Sequence, residues 1–500
     1  MNPARPLRLA LAAALVALAG CAGTAPPVAQ APSDTATFTV LQMNDVYEIA
    51  PVEGGASGGL ARVAWLRERL LDEDPATLTV LAGDFLSPSA LGTAVVDGER
   101  LAGAQMVAVL NALGLDAAAV GNHEFDVSET DFAARVAEAD FPFVTANAIR
   151  PDGTPFPGVA ERLIVPLAVA PGDTVRVGIA SVVLPSNQKP WVRYLDADST
   201  LRAEVARLDA ASDVVIGLTH QAFADDVTAA ATVPGLDLVL GGHEHENVRA
   251  YRGPDLVPVL KADANARTVY VHRVTLDRAT GAVAVASELV PVTDAAPEDP
   301  DVAAVVEAWV ERAYAGFREQ GFEPDRVAAT TTEPLDGREG TVRTRPARLG
   351  ALIAEGFRQA AGAEVGLLNG GSIRVDDVIP AGPFTEYDAI RVMPFGGNVV
   401  AVEMSGATLV RALEQGLANA GSGGFLQTAG VERRDDGTWT VGGAPVDPAR
   451  TYAVAANDYL VSGRETGLDF LDVDGPDLTQ TGTYGDVRRA LIDALVRAYE

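Results

Sequence analysis

Residues 115–126 read LDAAAVGNHEFD, and residues 236–246 read LDLVLGGHEHE. Each opens with a short apolar run that suits a buried strand. Each then passes through glycine into a cluster of polar and imidazole side chains. Three more predicted strands end in polar residues: the alternating 37–43 (TFTVLQM) at Asn44-Asp45, 77–82 (TLTVLA) at Gly83-Asp84, and 213–218 (DVVIGL) at Thr219-His220. A further strand is predicted over 176–182. Helical spacing appears at 60–71 (LARVAWLRERLL) and over 101–113. The repeated order of strand, polar loop and helix predicts a layered α/β domain with its site at the carboxyl ends of the strands. Residues 252–260, 268–276 and 281–291 are expected to add antiparallel strands.

Residues 293–300 (TDAAPEDP) break this pattern, and 301–319 reads as a helix connecting two lobes. The chain then begins afresh. Helices are predicted at 348–362, 403–417 and 485–499, and strands at 364–368 and 451–456. The expected division is a signal segment at 1–20, a tether at 21–36, a first domain at 37–292, a linker and connecting helix at 293–326, and a second α/β domain at 327–500.

The counts bound the chemistry. The chain has 500 residues, 48% of them hydrophobic and 21% charged, which suits about two to four folded domains. There is one cysteine, Cys21, and there are five histidines: His123, His220, His243, His245 and His272. One cysteine excludes a disulfide framework and any cysteine-rich zinc or iron–sulfur site. A metal site must come from His, Asp, Glu and Asn. The net charge of −30 excludes a large surface for a nucleic-acid polymer. Lys189 and Lys261 are the only lysines.

Residues 1–20 read as a targeting segment. Arg5 and Arg8 precede an apolar run from Leu7 to Ala19, too short to span a bilayer as a mature helix. Leu18-Ala19-Gly20-Cys21 resembles the bacterial lipoprotein signal, in which the cysteine is lipidated and becomes the new N-terminus. Loss of residues 1–20 removes two arginines and leaves a net charge of −32. Residues 22–36 are small, proline-rich and polar, as a flexible tether would be. The expectation is a protein held to a membrane of the cell envelope, on its periplasmic or extracellular face.

Asp45, Asp84, Asn122, His220, His243 and His245 each follow a predicted strand. Singly they say little, because Asp after a strand is often a cap or turn residue. Together they gather most of the chain's histidines into short polar motifs. Mixed Asp, Asn and His donors suit two divalent cations roughly 3.5–4 Å apart that clamp a phosphoryl group. His272 lacks such a context and is read as structural.

The motifs NDVYE (44–48), GDFLSPS (83–89), GNHEFD (121–126), LTH (218–220) and GGHEHE (241–246) resemble those of the calcineurin-like metallophosphatases. LNGGSIR (368–374), MPFGGN (393–398), GGFLQTAG (423–430) and NDYLVSG (457–463) narrow the resemblance to the 5′-nucleotidase family. It implies a four-layered β-sandwich flanked by helices, followed by an α/β nucleotide-binding domain. It also implies two divalent ions, from among Zn, Mn, Mg and Co. Asp45 and His245 would serve the first ion. Asn122, His220 and His243 would serve the second, and Asp84 would bridge them. His123 would protonate the leaving oxygen, with Asp126 orienting its ring; the alternative for Asp126 is to cap the following helix.

In the second domain, Asn369 and Arg374, with Arg343 nearby, would hold the nucleotide. Phe395 and Tyr459 would sandwich its base, and Glu465 stands where the family has a ribose-binding Asp. Arg464 and Thr466 depart from the usual residues there. A larger departure is Tyr47, because the family's first motif carries a metal-binding His at that position. Water could fill the place, Glu48 could reach in, or the metal preference could shift. The implied activity is release of phosphate from nucleoside 5′-monophosphates, with lobe closure bringing the base clamp over the metals. Rival substrates on the same scaffold are 2′,3′-cyclic nucleotides, nucleotide sugars and sulfur compounds. The rival from another class is a nucleotide-binding surface protein that has lost catalysis.

Overall fold

The computed structural model describes residues 34–500. Cys21 and the tether up to residue 33 lie outside the described residues. The first lobe is built on two sheets packed face to face. One has seven strands, in the order Val283–Pro291, Thr268–Asp277, Thr35–Met43, Thr77–Leu81, Ala117–Ala119, Phe143–Val144 and Val159–Ala160. The other has six: Val248–Arg252, Val257–Lys261, Leu238–Gly241, Val214–Thr219, Asp173–Ala180 and Arg162–Ala170.

Alternation along each strand divides the side chains between layers. Val40, Val80, Ala117 and Ala119 meet Ile179, Ile216, Leu218 and Leu240 between the sheets. Their neighbours Leu41, Leu81 and Ala118 turn outward onto the helices Leu60–Glu73 and Ala104–Leu113. Val215 and Val239 turn the opposite way, towards the helices Ala197–Asp209 and Phe223–Thr232. The result is the expected four layers of helix, sheet, sheet and helix. Central strands are covered on both faces, so even their polar Thr39, Gln42, Thr77 and Thr79 are buried.

The pairs 39–43 with 77–81, 80–81 with 117–118, and 216–219 with 238–241 are parallel. Their carboxyl ends therefore meet at one edge, where Asp45, Asp84, Asn122, His220 and His243 leave the sheets.

Some local expectations are corrected. The stretch 252–260 is two antiparallel strands, Val248–Arg252 and Val257–Lys261, separated by a turn at Gly253-Pro254-Asp255. Residues 403–405 end the strand Asn398–Ser405, and the helix starts only at Gly406, capped by the Ser405 side chain. The helix expected from 101 starts at Ala104. The helix Pro300–Glu319 packs on the first lobe's outer helices rather than bridging free space. Its Phe317, together with Phe322, joins an apolar cluster that continues into the second lobe at Phe357 and Leu491.

The second lobe centres on a five-stranded sheet ordered Leu426–Ala429, Val365–Asn369, Thr451–Asn457, Asn398–Ser405 and Thr479–Asp486. Helices Arg348–Ala361 and Val487–Tyr499 cover one face, and Gly406–Ala418 packs on the other. Among the described residues, no helix is long and apolar enough to cross a membrane.

Candidate metal centre and substrate pocket

The loops at the strand ends are tightly packed. Asp45, Asp84 and His243 hold left-handed φ values of 52°, 57° and 87°. L-residues adopt this region rarely, and it concentrates at functional sites. Two glycines permit the close approach. A Cβ on Gly121 would lie 2.2 Å from Asp84 Oδ1, and one on Gly242 would lie 2.7 Å from His220 Nδ1. Beneath them the buried Glu124 carboxylate accepts backbone N–H groups of Asp84, Phe85, Leu86 and Gly121 at 2.9, 2.7, 3.0 and 2.5 Å. Burial and the Asp84 charge push its pKa up to about 7. Glu124 thereby ties the Asp84 loop to the Asn122 loop.

Asp45, Asp84 and His220 bring donor atoms within 4.8 Å of one another, all buried. His220 Nδ1 lies 2.7 Å from the Ala82 carbonyl, so it donates there and leaves Nε2 facing the carboxylates. That Nε2 is 3.1 Å from Asp84 Oδ2. It and Asn122 Oδ1 are buried without a hydrogen bond in the structure of residues 34–500. Two buried polar atoms without a hydrogen bond, beside two carboxylates that favour positive charge, fit a cation. The field agrees. Burial opposes charge on His220, yet Asp84 and Asp45 hold its pKa up at about 10. Burial and His220 push His243 down to about 4, leaving it neutral as a ligand must be. Asp45 accepts from the His243 amide at 2.9 Å and from Asn44 Nδ2 at 2.9 Å.

Tyr47 stands among Asp45, Asp84 and His245. Its hydroxyl is 3.1 Å from His245 Nε2, 3.3 Å from Asp84 Oδ2 and 3.5 Å from Asp45 Oδ1. Burial and these carboxylates hold its pKa far above the usual value for tyrosine. It therefore stays a neutral phenol in their company. Glu48 does not reach in. Its Oε2 accepts from the Tyr387 hydroxyl of the second lobe at 3.2 Å.

His123 Nδ1 lies 2.6 Å from Asp126 Oδ2. The following helix is capped by Ser128, which accepts from the Asp131 amide, so Asp126 has no capping role. Asn187 Nδ2 touches the Asn122 carbonyl and Asp126 Oδ1 at 3.0 and 3.1 Å, and Lys189 Nζ is 3.8 Å from Asp126.

Asp126, Asn187 and Lys189 form one wall of a cavity of about 530 Å³ between the lobes. The facing wall holds Arg343, Asn369, Arg374, Phe395, Tyr459 and Glu465. Phe395 and Tyr459 are 49% and 42% exposed, unusual for large rings. Arg374 sits over Phe395 and Arg464 over Tyr459, at 5.6 and 5.7 Å. Burial and the nearby Arg374 lower the Arg343 pKa to about 10, so two cationic forks crowd one space. Asn369 donates to Glu465 Oε2 at 2.8 Å and accepts from Ser372 Oγ at 2.6 Å. Arg464 does not line the cavity and donates to Ser462 Oγ at 3.0 Å.

Residues 38–247 match the calcineurin-like phosphoesterase family, and residues 327–471 match the 5′-nucleotidase C-terminal domain. The chain belongs to the calcineurin-like phosphoesterases that carry a 5′-nucleotidase C-terminal domain. It is similar to the human 5′-nucleotidase, with 28% identity over 442 residues, covering 79% of this chain and 74% of that protein. A trifunctional nucleotide phosphoesterase protein of Bacillus subtilis is 26% identical over 423 residues; the match covers 71% of this chain but only 28% of that longer protein. The crystal structure of a 5′-nucleotidase precursor from Thermus thermophilus superposes with a TM-score of 0.75 at 25% identity, covering 92% of this chain and 96% of that one.

This phosphoesterase is a metal-dependent hydrolase of phosphoester bonds. Several residues around its site escape a reading by motif. Lys261 is fully buried, and its Nζ contacts the carbonyls of Gln221 and Gly242, Asp226 Oδ2 and Glu244 Oε2 at 2.6, 2.7, 2.9 and 2.5 Å. It clamps the GGHEH loop from below. Lys189 lines the phosphoesterase cavity. Their rarity was the available signal, since they are the chain's two lysines. Asp376 of the second lobe lies 2.7 Å from His245 Nδ1, and only the fold brings them together. His272 bonds Ser287 and Gln42, and burial drops its pKa to about 3, which fits a neutral structural role.

Proposed function

We propose that this phosphoesterase releases phosphate from nucleoside 5′-monophosphates outside the cytoplasm. In this reading two divalent cations occupy the cluster, with Tyr47 weakening the first position, and a lipid on Cys21 tethers the protein. One observation carries the substrate assignment. The interlobe cavity sets two exposed rings and two guanidinium groups opposite Asp126, the partner of His123, with Asn187 and Lys189 beside it. A base suits the gap between Phe395 and Tyr459, since stacking is worth about 1–3 kcal/mol per base in comparable sites. Arg343 and Arg374 supply forked donors for phosphate. Glu465 and Asn369 offer polar groups to a sugar.

Asp45 and His245 would hold the first cation, Asn122, His220 and His243 the second, and Asp84 both. When bound, such cations generate a nucleophilic water and neutralise phosphoryl charge. Asp126 accepts the Nδ1 proton of His123 and fixes its ring, so a proton carried on Nε2 can pass to the leaving ester oxygen. Asn187 and Lys189 keep Asp126 in place, and Lys189 adds positive charge beside the departing group.

The test is phosphate release from AMP, ADP, 2′,3′-cyclic AMP and UDP-glucose by the full-length chain, after chelation and metal add-back. AMP is expected to lead, and Asp84→Ala or His123→Ala to abolish release. Near-wild-type kcat in either variant refutes the assignment. Binding of AMP without turnover at saturating Mn²⁺ would make the protein a nucleotide binder. Cys21→Ser is expected to free the protein from membranes, and retention there would exclude the lipid anchor.

A further inference from the structure

His245 belongs to one lobe by its backbone and to the other by its ring. Its carbonyl accepts from the Ala264 amide and the Arg267 guanidinium, both in the first lobe. Its Nε2 faces Tyr47 and Asp45, at 3.1 and 3.8 Å. The carboxylates near its Nδ1 come from the second lobe: Asp376 Oδ2 at 2.7 Å and Glu339 Oε2 at 3.7 Å. Asp376 is itself fixed. It is buried, its φ is 41°, and its other oxygen accepts the Glu339 amide at 2.7 Å. A non-glycine residue held at that φ needs its surroundings to keep it there.

We propose that Asp376 is a positioning residue that makes cation affinity at the first position depend on the joining of the lobes, and so couples it to occupancy of the interlobe cavity. The physical basis is the hydrogen bond across the lobes. Asp376 accepts the Nδ1 proton of His245, which fixes the tautomer, aims the Nε2 lone pair at the carboxylates and raises its basicity. If the lobes part, no first-lobe carboxylate stands within 4 Å of Nδ1 to replace it, judged on the described residues. A ligand that bridges both cavity walls favours the joined arrangement. It must therefore tighten the first cation, and the cation must tighten the ligand by the same factor. The second position lacks this dependence, because Asp84, Asn122, His220 and His243 all belong to the first lobe. The choice of a nucleoside as bridging ligand rests on the nucleotide reading of the cavity.

The experiment titrates Mn²⁺ into the metal-stripped full-length chain and follows free Mn²⁺ by electron paramagnetic resonance, with and without saturating adenosine. Two binding steps are expected, and adenosine should tighten the weaker one by about tenfold or more while sparing the tighter one. Asp376→Ala should weaken that step by ~10–100-fold without adenosine and abolish the coupling. Asp376→Asn, which keeps a neutral acceptor, should fall between. The proposal is overturned by a single Mn²⁺ step in the wild type, by equal effects on both steps, or by coupling that survives Asp376→Ala. If adenosine produces no heat of binding by calorimetry, the nucleotide reading fails. The adenosine-free comparison of wild type and Asp376→Ala still decides the role of Asp376, and an unchanged weaker step overturns it.

Discussion

Replacing Lys261 by Met removes an ammonium and keeps most of the side-chain volume. In the folded protein that ammonium meets two carboxylates and two carbonyls, and Lys261 and Asp226 are both fully buried. Asp226 also accepts the hydroxyl of Thr219 and the amide of Gln221, at 2.6 and 3.0 Å, so it cannot turn away to water. Loss of one partner leaves an uncompensated buried charge, which typically costs ~3–5 kcal/mol. At ~2–4 °C per kcal/mol for a domain of this size, the first lobe's unfolding temperature should fall by ~6–20 °C. The assay is thermal unfolding by circular dichroism in chelator, where metal binding cannot mask the loss. The double variant Lys261→Met/Asp226→Leu removes both charges and should recover part of the fall. Because the Gly242 carbonyl precedes His243, the single variant should also weaken Mn²⁺ at the tighter step. A fall below about 3 °C, or a double variant no more stable than the single one, would refute the view that Lys261 neutralises the floor of the metal loop.

Tyr47→His supplies an imidazole where a neutral phenol now sits, and should tighten the weaker Mn²⁺ step by about tenfold or more; unchanged affinity would show that Tyr47 does not limit it. Phe395→Ala and Tyr459→Ala should each raise KM for AMP by roughly 5–150-fold with little change in kcat, as loss of ~1–3 kcal/mol of stacking requires. If AMP KM stays put, the rings do not hold the base. His220 gains a proton in the metal-free fold, its pKa rising from 6.5 to about 10. Its contribution to stability is therefore complete below about pH 6.5 and lost as the pH climbs towards 10. Urea unfolding in chelator should show this decline, and His220→Asn should lack it. A wild-type stability in chelator that rises between pH 7 and 10 would contradict the sign.

The elements easiest to read in the chain were those whose chemistry is local. The strand ends at Asp84, Asn122 and His243 are each preceded by glycine, because only a residue without a Cβ lets these loops touch. The stretch 252–260 hides a turn at its own Gly253-Pro254-Asp255, and Glu403-Met404-Ser405 suits a helix as readily as a strand end. Glu124 was hidden in plain sight, since a carboxylate that binds four amides looks no different in the chain from one that faces water.

Sequence by itself determined the two-lobed α/β plan and the gathering of Asp45, Asp84 and His220 at one sheet edge. These follow from residue type and strand-end position, which the local backbone controls. Tertiary structure alone decided what surrounds each donor. It sent Glu48 to Tyr387, released Asp126 from capping, and brought Asp376 to His245 across 131 positions of chain. Such pairings depend on how two lobes dock, and docking is set by burial summed over many side chains, a quantity that no short motif contains.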